Sequence, residues 1–191
     1  VGGCCGTTPE YIRQLAEAVG DRRPAEREVH SEPGVTSIYS AVSFPDDTGD
    51  GDGSATATNL LIIGERTNTN GSKAFREAMI DGDWDTCVQM AKDQVAQGAH
   101  ILDVCVDYVG RDGTIDMDEI ASRFATQASV PLVLDSTEPE VMEAGLAHLG
   151  GRAILNSANL EDGYAEGSRL DRVFTLAKTY GTAVICLLID E

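Results

Sequence analysis

From residue 60 onward the chain alternates between short apolar runs and longer stretches with apolar residues on one side only. Apolar runs at residues 60–63, 101–106, 131–134, 153–155 and 183–189 predict strands. Between them the spacing turns helical. Ser72 is placed to cap one helix, and Cys87, Val88, Ala91 and Val95 form a stripe stopped by Gly98. Ile120, Ala121, Phe124 and Ala125 mark the next stripe. Thr137-Glu138-Pro139 opens a third through Val141, Met142, Gly145 and Leu149, and Leu170, Val173, Phe174 and Ala177 form a fourth, stopped by Gly181. Five apolar strands separated by helices predict an α/β fold with a parallel sheet buried on both faces. The runs lead into polar residues: Glu65, Asp103 with Asp107, Asp135, Asn156 and Asp190. At the carboxyl ends of parallel strands such residues converge on one rim, where barrel and doubly wound enzymes bind their ligands. A single strand-end Asp reads equally well as a helix cap, and Asp135 with Ser136 has that form. Five in register predict a ligand rim.

The first sixty residues follow a different pattern. Thr8 is a helix cap, Pro9 sits at the first helical position and Glu10 in the first turn. Ile12, Leu15, Ala16 and Val19 make the stripe, and Gly20 ends it. With Gly2-Gly3-Cys4-Cys5-Gly6 in front, the order is strand end, turn, capped helix. Residues 21–58 carry Pro24, Pro33 and Pro45 and the run Asp46-Asp47-Thr48-Gly49-Asp50-Gly51-Asp52-Gly53, and predict an inter-domain linker with residues 35–44 against a domain surface. A calcium-loop reading of the Asp/Gly run fails, because Ala57 stands where the bidentate Glu is required. It reads as an acidic loop.

Charge and cysteine content narrow the function classes. Against 32 acidic residues stand 14 basic ones, a net charge of −18, which excludes a polyanionic partner such as nucleic acid. No window approaches the ~20 apolar residues needed to cross a bilayer. Of the five cysteines, Cys87, Cys105 and Cys186 fall in helical or strand-like apolar patterns. They read as buried thiols suited to a reducing cytoplasm rather than a disulfide scaffold.

Three motifs carry chemistry. Adjacent Cys4 and Cys5 rarely bond each other, and the glycines around them allow a turn in which both sulfurs face one ion. Two thiolates fall short of the three protein ligands of a catalytic zinc, so the residues alone leave metal binding and a pair of buried thiols both open. Ile63-Gly64-Glu65-Arg66-Thr67-Asn68-Thr69-Asn70-Gly71-Ser72 leads a strand into a loop rich in amides and hydroxyls. It suits a neutral heterocycle and lacks the glycine density of a phosphate cradle. Leu134-Asp135-Ser136 and Leu155-Asn156-Ser157 lie 21 residues apart on consecutive strands. A carboxylate beside an amide can read the amino-pyrimidine edge of a ring.

Taken in order, these motifs resemble the cobalamin-dependent methionine synthase family. Gly2-Gly3-Cys4-Cys5-Gly6-Thr7-Thr8-Pro9 is similar to the end of that family's homocysteine barrel. Gly64-Glu65-Arg66-Thr67-Asn68, Leu134-Asp135-Ser136 and Asn156-Ser157 are similar to the start of its folate barrel. The resemblance implies an α/β chain holding the end of one (β/α)8 barrel at 1–20, a linker at 21–58, and the first five strands of a second, pterin-binding (β/α)8 barrel at 59–191. It implies a cytoplasmic methyltransferase that moves the methyl group of 5-methyltetrahydrofolate through cobalamin to homocysteine. Cys4 and Cys5 would be two of three zinc thiolates, the third lying outside this stretch. Glu65, Asn68, Thr69, Asn70, Asp135 and Asn156 would line the methyltetrahydrofolate pocket, with Asn156 catalytic through the protonated N5. Cobalamin would ride on a separate domain of the same parent chain, and the present residues alone would not turn over. Where the family carries Asn after Asp103-Val104 this chain has Cys105, so no role is carried to that position. Other pterin barrels of the dihydropteroate synthase kind share the strand-end Asp and Asn, but not the Gly-Gly-Cys-Cys block. A non-catalytic zinc or thiol module accounts for the cysteines and leaves the strand rim unexplained.

Overall fold

The computed structural model describes residues 2–26, 33–44 and 60–188, and the chain divides into two compact units, Val1–Ser31 and Glu32–Glu191. The Asp/Gly run at 46–53, residue 57 and the strand-end Asp190 lie outside the described residues.

In the first unit α1 (Pro9–Val19) forms at the predicted place. The Thr8 side chain accepts from the Tyr11 amide, and the Gly20 amide closes on the Ala16 carbonyl. No strand precedes the helix among the described residues. Residues 4–7 make a tight turn in which the Thr7 amide and hydroxyl both donate to the Cys4 carbonyl, at 3.0 and 2.6 Å. The Thr7 hydroxyl also accepts from the Cys4 amide at 2.8 Å.

The second unit begins with an antiparallel hairpin, β1 (Gly34–Thr36) and β2 (Ala41–Ser43), inside the stretch read from sequence as linker. Five parallel strands follow: β3 (Ile63–Asn68), β4 (Ile101–Cys105), β5 (Leu132–Asp135), β6 (Ile154–Ala158) and β7 (Ala183–Cys186). Between them run α2 (Lys73–Asp81), α3 (Trp84–Ala96), α4 (Gly113–Gln127), α5 (Pro139–Leu146) and α6 (Arg169–Tyr180). Strand order in the sheet is β3-β4-β5-β6-β7, so each strand lies beside its neighbour in sequence. A doubly wound sheet reverses its order at a switch point; this one does not, and is an α/β sheet consistent with part of a (β/α)8 barrel.

Several boundaries differ from the hydrophobic pattern for identifiable reasons. The first strand is Ile63–Asn68 rather than 60–63, because pairing with β4, not apolarity, defines it. Leu60 and Ile62 are exposed. The stretch after Ser72 is two helices, since Gly82 ends α2 in the left-handed region at φ 71° and Asp83 caps α3. Cys87 and Cys105 are buried as expected, but Cys186 is exposed, standing at the carboxyl end of β7, which pairs only with β6 among the described residues.

Strand parity sorts the side chains. Leu102, Val104, Leu132, Leu134 and Leu155 face the helices, joining Phe75, Met79, Met117, Ile120, Phe124 and Met142 in the main core. The alternate positions Ile101, Val133 and Ile154 meet Val35 of the hairpin in a second cluster at the amino ends of the strands. One step further along come Asp103, Asp135 and Asn156. The sheet interior is thus built in layers, an apolar one below and a polar one above.

Candidate functional site

The polar layer borders a cleft of about 490 Å³ lined by Ile63, Glu65, Asn68, Asn70, Asp103, Val133, Asp135, Asn156 and Ile185, with Gly71 at its edge. Asp135 and Asn156 are register partners on β5 and β6, so their side chains leave the sheet side by side. Glu65 and Asn68 have opposite parity and in a regular strand would point to opposite faces. An irregularity in the β3–β4 pairing between Gly64 and Thr67 brings both to the cleft. Gln94 of α3, almost fully buried, satisfies it: its Oε1 accepts from the Arg66 amide at 2.7 Å and its Nε2 donates to the Thr67 hydroxyl at 3.3 Å.

Asn68 organises the site. Its Oδ1 accepts from the amides of Asn70 and Gly71, at 2.8 and 3.2 Å, which turns Nδ2 toward the sheet. Nδ2 then donates to Asp103 Oδ2 at 2.7 Å and to Asp135 Oδ2 at 2.9 Å. The loop backbone therefore fixes which end of the amide meets the two carboxylates, and Asp135 is not a helix cap. Ser136 does the local work instead, its hydroxyl accepting from the Glu138 amide at 3.0 Å.

Crowding acidic groups in a half-closed cleft shifts them. Burial pushes the Asp103 carboxyl up to about 6; the Asn68 hydrogen bond opposes this, while the charges of Asp135 and Glu65 add to it. Asp135 is raised as well, first by burial, against the pull of the Asn68 bond, with Asp107 raising it and Arg169 lowering it. Such a site accepts hydrogen bonds from a ligand that offers N–H donors, and holds a proton at mildly acidic pH.

Of the residues expected to line a folate pocket, Glu65, Asn68, Asn70, Asp135 and Asn156 border this cleft. Thr69 does not. It is buried, its amide donating to the Cys105 carbonyl at 3.0 Å and its hydroxyl to the Asp107 carbonyl at 2.9 Å, so it ties the loop to β4. Cys105 lies buried behind the loop, its thiol pushed up to about 12 by burial. Asp103, only 6% exposed, also borders the cleft, as its place on the strand-end rim predicts, although the family resemblance did not put it among the folate-lining residues. It has the same parity in its strand as Asp135 has in the next.

The second candidate site is the turn of the first unit. Cys4 Sγ and Cys5 Sγ are exposed and 3.9 Å apart. Tetrahedral zinc at thiolate distances of ~2.3 Å separates two sulfurs by about 3.8 Å, so the pair has the spacing of two zinc ligands. Among the described residues no group of three His, Cys, Asp or Glu is placed to hold a metal ion. Likewise, no described helix is long and apolar enough to cross a membrane.

Comparison with known proteins agrees with this layout. Residues 64–191 match the pterin binding enzyme family, and residues 1–19 match homocysteine S-methyltransferase. The chain belongs to the pterin-binding enzyme family. Over its whole length it is 52% identical to methionine synthase of Mycobacterium tuberculosis (strain ATCC 25618 / H37Rv) and 50% identical to methionine synthase of Mycobacterium leprae (strain TN). It spans 15% of the length of each of these relatives.

Proposed function

We propose that this chain is a stretch of a cytoplasmic methyltransferase that moves the methyl group of 5-methyltetrahydrofolate by way of cobalamin to homocysteine, giving methionine and tetrahydrofolate. The observation that carries the reading is the order of two sites on one chain: a paired-thiol turn at Cys4 and Cys5, then a carboxylate–amide cleft at Asp135 and Asn156. A stand-alone pterin enzyme has no use for the first, and a thiol module has none for the second. The proposed division is the end of a homocysteine barrel at 1–20, a linker at 21–58 and the first part of a pterin barrel at 59–191.

In the cleft, ionised Asp135 accepts from the N–H donors of the pterin's amino-pyrimidine edge. Glu65, Asn68 and Asn70 face the same ring from the β3 side. Thr69 supports that loop from behind. Asn156 sits beside Asp135 and accepts from the protonated N5. N5 is neutral in the bound ground state and becomes a charged N–H donor only as it is protonated for methyl transfer, so the Asn156 contact favours the transition state over the ground state. In the turn, Cys4 and Cys5 would supply two of three thiolates to zinc, which when bound lowers the pKa of a substrate thiol. Cobalamin is assigned to a domain outside these residues, and no side chain of this chain is assigned to it.

The reading is tested in the full-length protein by separating the two halves. Asp135→Ala or Asn156→Ala is expected to weaken methyltetrahydrofolate binding by roughly 100-fold or more, as expected for losing a buried charge-assisted contact. Both should leave homocysteine methylation from supplied methylcobalamin intact. Cys4→Ser should lose zinc and spare folate binding. Loss of both activities together in a folded Asp135→Ala protein would rule out the assignment of two separate sites.

A further inference from the structure

Arg169 opens α6 at its first position, directly after the cap Ser168. A cation there faces the positive end of the helix dipole, where an anion would be favoured, so helix stability does not explain it. Its guanidinium reaches instead across the carboxyl rim of the sheet. Nε donates to the Ser157 carbonyl at 3.1 Å, one terminal nitrogen to the Ser136 carbonyl at 3.0 Å and the other to the Thr137 carbonyl. Ser136 and Thr137 follow Asp135 directly, and Ser157 follows Asn156. From the other side, Asp107 accepts from the Ser136 hydroxyl at 2.8 Å and from the Thr137 amide at 2.9 Å.

We propose that Arg169 is the positioning residue of the pterin cleft, one planar fork that locks the backbones following Asp135 and Asn156 to each other and so fixes the two side chains that read the ligand. The inference rests on the proposed pterin reading of that cleft. Three carbonyls from two loops converge on one side chain whose donors have fixed geometry. Lysine brings the charge and three donors but not the spread of the fork. The positive charge also favours ionised Asp135 against its burial and against the acidic groups facing it, which are Asp103 on β4, Asp107 just beyond and Glu65 on β3.

The test uses the full-length protein, with 5-methyltetrahydrofolate titrated calorimetrically between pH 5 and 8 and with thermal melting in parallel. Arg169→Met is expected to weaken binding about tenfold or more, the scale of lost charge-assisted hydrogen bonds. It should also shift the acid limb of binding to higher pH, because Asp135 then protonates more readily. Arg169→Lys should weaken binding by roughly threefold and leave the acid limb in place. Should the Met variant not fold, the Lys variant decides: weaker binding with wild-type melting supports the assignment, and wild-type affinity overturns it. A folded Met variant with lower melting temperature but unchanged affinity and pH profile also overturns it, leaving Arg169 a structural brace. If the wild-type protein binds no methyltetrahydrofolate, the pterin reading falls with it, and the two failures are told apart by that control.

Discussion

The two ends of the parallel sheet are made from the same strands by opposite rules. At the amino ends Ile101, Val133 and Ile154 close on Val35, which is fully buried, and the hairpin carrying Val35 is fastened by ordinary hydrogen bonds. The Thr36 amide donates to the Arg152 carbonyl at 3.0 Å, the Arg152 amide donates to the Thr36 hydroxyl at 2.8 Å, and the Arg152 guanidinium reaches the Gly34 carbonyl at 3.0 Å. At the carboxyl ends, two residues further along each strand, Asp103, Asp135 and Asn156 replace the aliphatic side chains. One end is sealed and gains from water exclusion; the other stays open and keeps carboxyl groups half-dry. A period of two, applied to one sheet, thus separates the part that holds the fold from the part that forms the candidate site.

The largest effect expected from breaking this division comes from putting a charge into the sealed end. Val35→Asp places an unpaired carboxylate among Ile101, Val133 and Ile154 and should cost about 4 kcal/mol or more. Folding of the pterin domain and methyltetrahydrofolate binding should be lost together, read by melting and by calorimetry. A Val35→Asp protein with near-native melting would mean that the hairpin does not seal the core. Asp135→Ala is the opposite case, costing binding while leaving the melting temperature nearly untouched.

A smaller perturbation tests the fastening alone. A Cβ on Gly151 would lie 2.1 Å from the Thr36 carbonyl oxygen, a backbone atom that cannot rotate away. Gly151→Ala should therefore displace the hairpin and lower stability by roughly 2–3 kcal/mol. Affinity for methyltetrahydrofolate should stay within about twofold of wild type if the two ends are independent. A parallel loss of affinity would show that the seal also shapes the cleft.

How much of this was legible beforehand follows from what each feature depends on. The repeating strands and helices were readable because burial on both faces leaves unbroken apolar runs, and the Asp135–Asn156 pair because both end such runs. The β3 strand was displaced in the hydrophobic pattern, since its paired residues are polar and are satisfied by β4 and Gln94. The hairpin within the predicted linker depends on long-range contacts to residues 150–152, which no local pattern records. Thr69 looked like a pocket residue because it lies between Asn68 and Asn70. Its hydroxyl turns to the Asp107 carbonyl, a choice set by the loop's backbone. Asp103 was legible as a strand-end rim residue, and its parity with Asp135 in the next strand is what turns its side chain into the cleft.

Asp103 also offers the subtlest test of the comparison. Its carboxyl titrates at about 6 in the folded chain, against a reference of 3.8. The folded state therefore binds that proton more tightly than the unfolded state. The stability this contributes is fully present below about pH 4 and is lost as pH rises through 6, a difference on the order of 2–3 kcal/mol. Asp103→Asn keeps the shape and an oxygen that can accept from Asn68, but it cannot ionise. Melting of the pterin domain in the variant should accordingly fall less between pH 4 and pH 7 than in the wild type, and at pH 7.5 the variant should be the more stable protein. Parallel pH profiles would mean that Asp103 is already ionised without strain and that the polar layer carries no cost. If the profiles diverge as expected, the carboxyl layer destabilises the domain at neutral pH, and the apolar layer beneath it, with Val35 in place, is what offsets that loss.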